Sequence, residues 1–196
     1  MHYKNKDMRI IYFIGCQLLL ILLVCGCIQN ADSMNQVDDI RMICQKSDSN
    51  EFCYVNATDS GIIRYEYLNH DSVFVLYHIK NDSVVDEWRI PYPVYRVDCG
   101  DLTGDGVPEI CVGVIKKTRY RPVLDKRLFI FKLHRGIFIR PLWLGSRVSN
   151  PLIDFCLERD STTSVIHTWE QTPDSVVQIL YTYHGFGIKF LRYHTE

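Results

Sequence analysis

The chain has no CxxC pair, no His/Cys spacing of a zinc site, no P-loop, no His-Glu-x-x-His helix and no nucleophile elbow. With no paired catalytic carboxylates recognisable either, the sequence gives no reason to expect an enzyme. Net charge is also nearly absent, with 22 Lys and Arg against 23 Asp and Glu. No basic surplus is available for a phosphate backbone, so nucleic acid is not an expected partner. A run long enough to cross a bilayer as a helix is lacking too. The stretch Ile10 to Val24 has fifteen residues, roughly 22 Å of helix against the ~30 Å of a hydrocarbon core.

That short run follows Lys4, Lys6 and Arg9, with Asp7 the single acid among them. A charged start followed by an apolar run of this length is the pattern of a cleaved export signal. The run ends in Val24-Cys25-Gly26-Cys27, which resembles the lipobox of bacterial lipoproteins: an aliphatic residue, a small residue, Gly, then the Cys whose thiol carries diacylglycerol. Cys25 stands where that family usually has Ala or Ser. The resemblance implies that residues 1–26 are a signal peptide and that Cys27 is the lipidated first residue of the mature chain. Acyl chains, palmitate among them, would hold the protein on a membrane without crossing it. Ile28 follows Cys27 where an Asp tends to retain family members at the inner membrane. Outer-membrane attachment in the cell envelope is therefore implied, on either its periplasmic or its outer face. Residues 27–46 read as a tether. Within it, Met34 to Lys46 places Val37, Ile40 and Cys44 at helical spacing and predicts one short helix.

Residues 47–196 are expected to form one domain, slightly acidic once residues 1–26 are removed, since those hold three of the basic residues and one of the acidic. Besides Cys27, removal of residues 1–26 leaves Cys44, Cys53, Cys99, Cys111 and Cys156. In an oxidising compartment the local pairs Cys44 with Cys53 and Cys99 with Cys111 are the expected disulfides, with Cys156 left as a thiol in a strand.

From Phe52 onward the apolar residues come in short runs, several alternating with a period of two. Trp88 and Ile90 alternate with Glu87 and Arg89, and turn residues such as Asn81-Asp82-Ser83 and Arg135-Gly136 separate the runs. This predicts an all-β domain. Trp88 leads through Pro93 into Val94 to Val97, and Trp143 through Pro151 into Leu152 to Phe155, the two prolines 58 positions apart. The pattern divides the domain into three antiparallel four-stranded units, about 52–91, 93–146 and 151–194. Such units bury their faces against one another, either as an open propeller-like stack or as a collapsed β-sandwich.

The middle unit carries Asp101-Leu102-Thr103-Gly104-Asp105-Gly106-Val107-Pro108-Glu109 before Ile110-Cys111-Val112-Gly113-Val114. Over Val94 to Leu144 it resembles the FG-GAP repeat of integrin-α-type β-propellers, whose Asp-rich loop between the first two strands of a blade binds calcium. The residues themselves suit a hard cation: Asp101, Asp105 and Glu109 supply carboxylates, Val107 a main-chain carbonyl and Thr103 a hydroxyl, with Gly at the sharp turn. Thr103 stands where the family usually has Asp or Asn, which implies weaker binding. The alternative is a turn capped by Asp101 and Asp105 with no metal.

Lys116, Lys117, Arg119, Arg121, Lys126 and Arg127, with Tyr120 among them, form a basic stretch that suits either an anionic partner or a solvated loop. Trp88 and Trp143, at repeated positions, are expected in the core. Taken together, the sequence predicts a lipid-anchored envelope protein acting as a binding or scaffolding module for a protein or glycan, with calcium as a structural clamp. The alternatives are a secreted enzyme on a β scaffold and a purely structural envelope component.

Overall fold

The computed structural model describes residues 43–48, 50–68, 73–119, 122–145, 147–160 and 163–194. The signal peptide, Cys27 and the tether as far as residue 42 lie outside the described residues. The described chain is all-β. Its strands are β1 (Ile43–Asp48), β2 (Glu51–Val55), β3 (Ser60–Leu68), β4 (Val73–Lys80), β5 (Ser83–Ile90), β6 (Val94–Gly100), β7 (Glu109–Lys116), β8 (Asp125–His134), β9 (Phe138–Leu144), β10 (Leu152–Asp160), β11 (Thr163–Gln171), β12 (Val176–His184) and β13 (Gly187–Tyr193).

They form three antiparallel sheets in strict chain order: β1 to β5, β6 to β9 and β10 to β13. The first sheet differs from the expected unit. It has five strands and begins at Ile43, so Ile43 to Lys46 are extended rather than helical. Lys46 pairs with Phe52 and Cys44 with Tyr54, and this ladder with β2 outweighs the helical spacing of three residues.

The alternating pattern explains the stacking. In β7, Ile110, Val112 and Val114 join Phe129, Phe131 and Leu133 of β8 in a core that also takes Phe52, Tyr54, Ile63, Phe74 and Leu76 from the first sheet. On the other side, Cys111, Leu128 and Ile130 pack with Phe155, Ile166, Ile179 and Tyr181 of the third sheet. The second sheet therefore lies between the other two and is apolar on both faces. This is why its strands read as the continuous runs Ile110 to Ile115 and Leu128 to Phe131 instead of as a clean alternation. Gly113 is required by this packing, because a Cβ there would stand 2.5 Å from Cζ of Tyr95 and 2.9 Å from Cε1 of Phe155.

The β4–β5 hairpin turns at Asn81 and Asp82, both with positive φ (50° and 58°), the backbone that Asn and Asp tolerate best among non-glycine residues. Trp88 lies 5.8 Å, ring to ring, from Phe131 in the first core, and Trp143 packs against the second. Polar ties join the sheets as well. Asp86 accepts from Ile139 N and Arg140, Arg96 pairs with Asp154 at 2.7 Å, and Leu157 N donates to Asp98.

Candidate functional site

The residues expected to hold calcium all lie in the loop between β6 and β7 or at its end, but the carboxylates of Asp101, Asp105 and Glu109 do not converge on one point within ligand distance of one another. Asp101, only 8% exposed, accepts from Gly104 N at 2.7 Å through Oδ1 and from Gly106 N at 2.9 Å through Oδ2. Glu109, at the start of β7, accepts from Leu102 N and Thr103 N through Oε2 and from the Thr103 hydroxyl through Oε1. Asp105 accepts from Val107 N. Gly104 and Gly106 both have φ near +77°, the left-handed backbone that lets successive N–H groups turn inward onto one carboxylate.

Outside contacts make this loop a junction. Its Gly106 carbonyl accepts from Nδ2 of Asn56 at 2.7 Å, in the β2–β3 turn of the first sheet. Its Asp101 carbonyl accepts from Ser164 N at 2.6 Å, in β11 of the third. Leu102 is buried in the second core and Val107 packs on the first. Nine residues thus touch all three sheets. Asn56 is orientated for this by accepting from Asp59 N and Thr58 N.

Glu109 is poorly placed to carry a charge. Burial pushes the Glu109 carboxyl up to about 8, Asp105 and Asp101 push the same way, and the N–H groups of Leu102 and Thr103 pull it back only in part. A folded-state value above the unfolded one means that folding retains a proton that the unfolded chain releases. The contribution of Glu109 to stability is therefore greatest below pH 4.5 and falls away as pH rises toward 8. Melting temperatures of the calcium-free protein should decline across that window, and Glu109→Gln should flatten the decline. An unchanged slope in the variant would rule out Glu109 as its source.

A second feature is a cleft of about 540 Å³ lined by residues of β1 to β4 and β6, with Leu157 from β10. Phe52, Tyr65, Tyr67, Phe74 and Tyr95 give it an aromatic lining, and Lys46, Arg96 and Asp98 add charge. Sequence reasoning missed it, since its walls come from separate sheets and no local motif marks them.

A third feature lies on the face of the third sheet away from the second. Cys156 and His167 are directly paired across β10 and β11, and with Glu158 they place a thiol, a carboxylate and an imidazole nitrogen within 4.8 Å of one another. His167 Nδ1 contacts Glu158 Oε1, its ring stacks on Trp169 at 4.2 Å and lies 4.5 Å from His194, and its buried Nε2 has no partner. Burial and Glu158 push the Cys156 thiol up to about 11, so it is protonated near neutrality. This donor set is one that zinc takes, with loss of the thiol proton on binding.

His167 and Glu170 lie on opposite faces of β11. Glu170, fully buried, instead accepts from Tyr181, Thr168 and Asn150. His78 is buried between the Tyr54 hydroxyl and the Ile137 carbonyl, and burial lowers its pKa. The basic stretch is not one patch. Arg127 is 1% exposed and paired with Asp125, Lys126 donates to the Ile153 carbonyl, and Lys116 sits over the Tyr92 ring at 4.1 Å. Tyr120 and Arg121 lie outside the described residues.

The strand register separates the members of both expected disulfides, and none of the five described cysteines is bridged in this structure. Cys44 faces Tyr54 while Cys53 faces Gln45. Likewise Cys99 faces Ile110 while Cys111 faces Asp98. A one-residue offset between paired strands sends the two side chains to opposite faces of the sheet, where no bridge can join them. No family model, curated protein or solved structure matches the chain.

Proposed function

We propose that this chain is a lipid-anchored protein of the bacterial cell envelope, held at the outer membrane through Cys27, whose three-sheet domain is a binding module. The observation that carries the binding role is the cleft beside β6. Its volume falls in the ~300–1,000 Å³ range of sites for small ligands or for one side chain or sugar of a larger one. Aromatic rings beside one Arg, one Lys and one Asp offer stacking surfaces with polar groups to fix orientation, which suits a glycan or a protein segment. The stacked sheets and their junction loop supply the rigid frame.

Capture from detergent-solubilised envelopes, with full-length protein as bait, tests this reading. Tyr65→Ala and Arg96→Ala should each reduce recovery of the captured component at least tenfold, while Lys189→Ala, on β13 of the third sheet, leaves it unchanged. Equal recovery by all four baits would remove the cleft from the reading and favour a scaffold without a ligand pocket. Labelling with palmitate that persists in Cys27→Ser would remove the anchor.

Calcium in the junction loop is a second part of the reading, favoured by the burial of Glu109 beside Asp101 and Asp105. The cation would add to a frame already closed by backbone N–H groups. It would offset the repulsion among the three carboxylates and hold Glu109 ionised. Millimolar calcium at pH 8 should raise the melting temperature, since a ligand at a hundredfold excess over Kd stabilises by about 2.7 kcal/mol. Asp105→Ala should abolish the rise. Superimposable melting curves in calcium and in chelator would leave a metal-free turn.

A further inference from the structure

The register that forbids the two local bridges selects another. Cys44 shares its face of β1 with the partners of Tyr54 and Phe52, which look toward the second sheet, and Cys99 shares its face of β6 with Ile110, which looks back. The two thiols meet there. Cys44 packs against the core that contains Cys99, and both line the aromatic cleft and a smaller adjoining cavity of about 120 Å³. β1 and β6 are edge strands of their sheets and lie in direct contact.

We propose that Cys44 and Cys99 form the disulfide of the exported protein, a covalent link between the first and second sheets along one wall of the cleft. The proposal rests on the export reading, because a persistent bridge needs an oxidising compartment. The other three cysteines are placed differently. Cys53 is on the face of β2 turned away from the second sheet, Cys111 is sealed in the second core, and Cys156 sits beside Glu158 and His167.

The chemistry requires an oxidant of the disulfide class, RSSR. The half-buried Cys44, as thiolate, attacks one sulfur, forming a mixed disulfide and releasing RS⁻. Cys99 then loses its proton and attacks Cys44 Sγ, displacing the second RS⁻. Two thiols are oxidised, one RSSR is reduced to two RSH, and both protons end on the released thiols. Cys99 is buried, and the neighbouring Cys44 together with burial holds its thiol well above the ordinary range. Its burial should make the second step the slow one. For the same reason of access, the completed bridge should resist reductants.

Full-length protein should be isolated from envelopes of producing cells with iodoacetamide present throughout, then digested without reduction and read by mass spectrometry. A cross-linked peptide pair containing Cys44 and Cys99, with Cys53, Cys111 and Cys156 alkylated, is expected. Alkylation of both Cys44 and Cys99 in protein whose leader has been removed at Cys27 would overturn the proposal. A leader still attached would instead mean that the export reading failed. The pairing is then decided on full chain purified without iodoacetamide, reduced, freed of reductant and treated with glutathione disulfide: the Cys44–Cys99 cross-link supports it, and glutathionylated Cys44 without the cross-link overturns it. A bridge closing a loop of this length should raise the melting temperature by roughly 10 °C over the reduced protein. Cys44→Ser should abolish that difference and Cys53→Ser should retain it. Because Cys44 is only half-buried, its variant keeps the test valid even where Cys99→Ser fails to fold. A full oxidation-dependent rise in Cys44→Ser would also overturn the assignment.

Discussion

Replacing Asp101 by Ala is expected to cost the calcium-free protein roughly 3 to 5 kcal/mol, because hydrogen bonds to a charged acceptor contribute about 1.5 to 3 kcal/mol each and two are lost. The two donors, Gly104 N and Gly106 N, are held inward by left-handed backbone. Gly104 is exposed and Gly106 half-buried, so water can take over part of what the carboxylate accepts. The loop would open, and with it would weaken the contacts from Asn56 and Ser164 that depend on its shape. Asp101→Asn keeps one acceptor oxygen of the two and should lose about half as much. Urea unfolding of the full-length protein in chelator measures both. A loss under ~0.5 kcal/mol in Asp101→Ala would mean that the loop does not tie the sheets.

A comparable loss, about 3 to 5 kcal/mol, is expected for Phe131→Ala. Phe131 is 1% exposed at the centre of the first core, with Trp88 and Phe129 among its neighbours. Since the second sheet packs on both faces, it cannot relax toward solvent to close the void, which places the cost at the upper end. The emission of Trp88 should shift to the red in the folded variant as the ring loses its apolar neighbour. Phe186, fully exposed at the β12–β13 turn, gives the control: Phe186→Ala should stay within ~0.5 kcal/mol. Equal effects at the two positions would contradict the burial on which the stacking rests.

The strands were legible because alternation and turn residues agree locally: Trp88 and Ile90 face inward where Glu87 and Arg89 do not, and Asn81-Asp82 supplies the backbone that a tight hairpin needs. The ligand-like loop was legible for a similar reason, since its acceptors and donors lie within nine residues. What escaped was everything decided by register or by stacking. Cys44 and Cys53 are near in sequence, but proximity does not reveal which face of the sheet each occupies. Cys156 and Glu158, two apart in an alternating strand, could have been placed on one face. Adding His167 requires the pairing of β10 with β11. Asn56 and Ser164 reach the loop from other sheets, and no pattern in the sequence announces it. β1 escaped because three residues at helical spacing are weak evidence against a ladder supplied by a neighbouring strand.

Every sheet is made of chain neighbours, so each hairpin can close before distant parts of the chain are needed, and folding should be fast for an all-β protein. The sandwiched second sheet sets a different condition on timing. If the chain emerges from its amino-terminal end, the first sheet can pair its five strands at once, yet it must present Phe52, Ile63, Phe74 and Leu76 to water until β7 and β8 arrive. The second sheet then covers that face while exposing its own other face until β10 to β12 follow. Exposed apolar surface on a half-made chain is where association between copies competes with folding. For this protein that hazard is greatest from the appearance of Ile90 to that of Leu133, the interval in which the first core has only one wall.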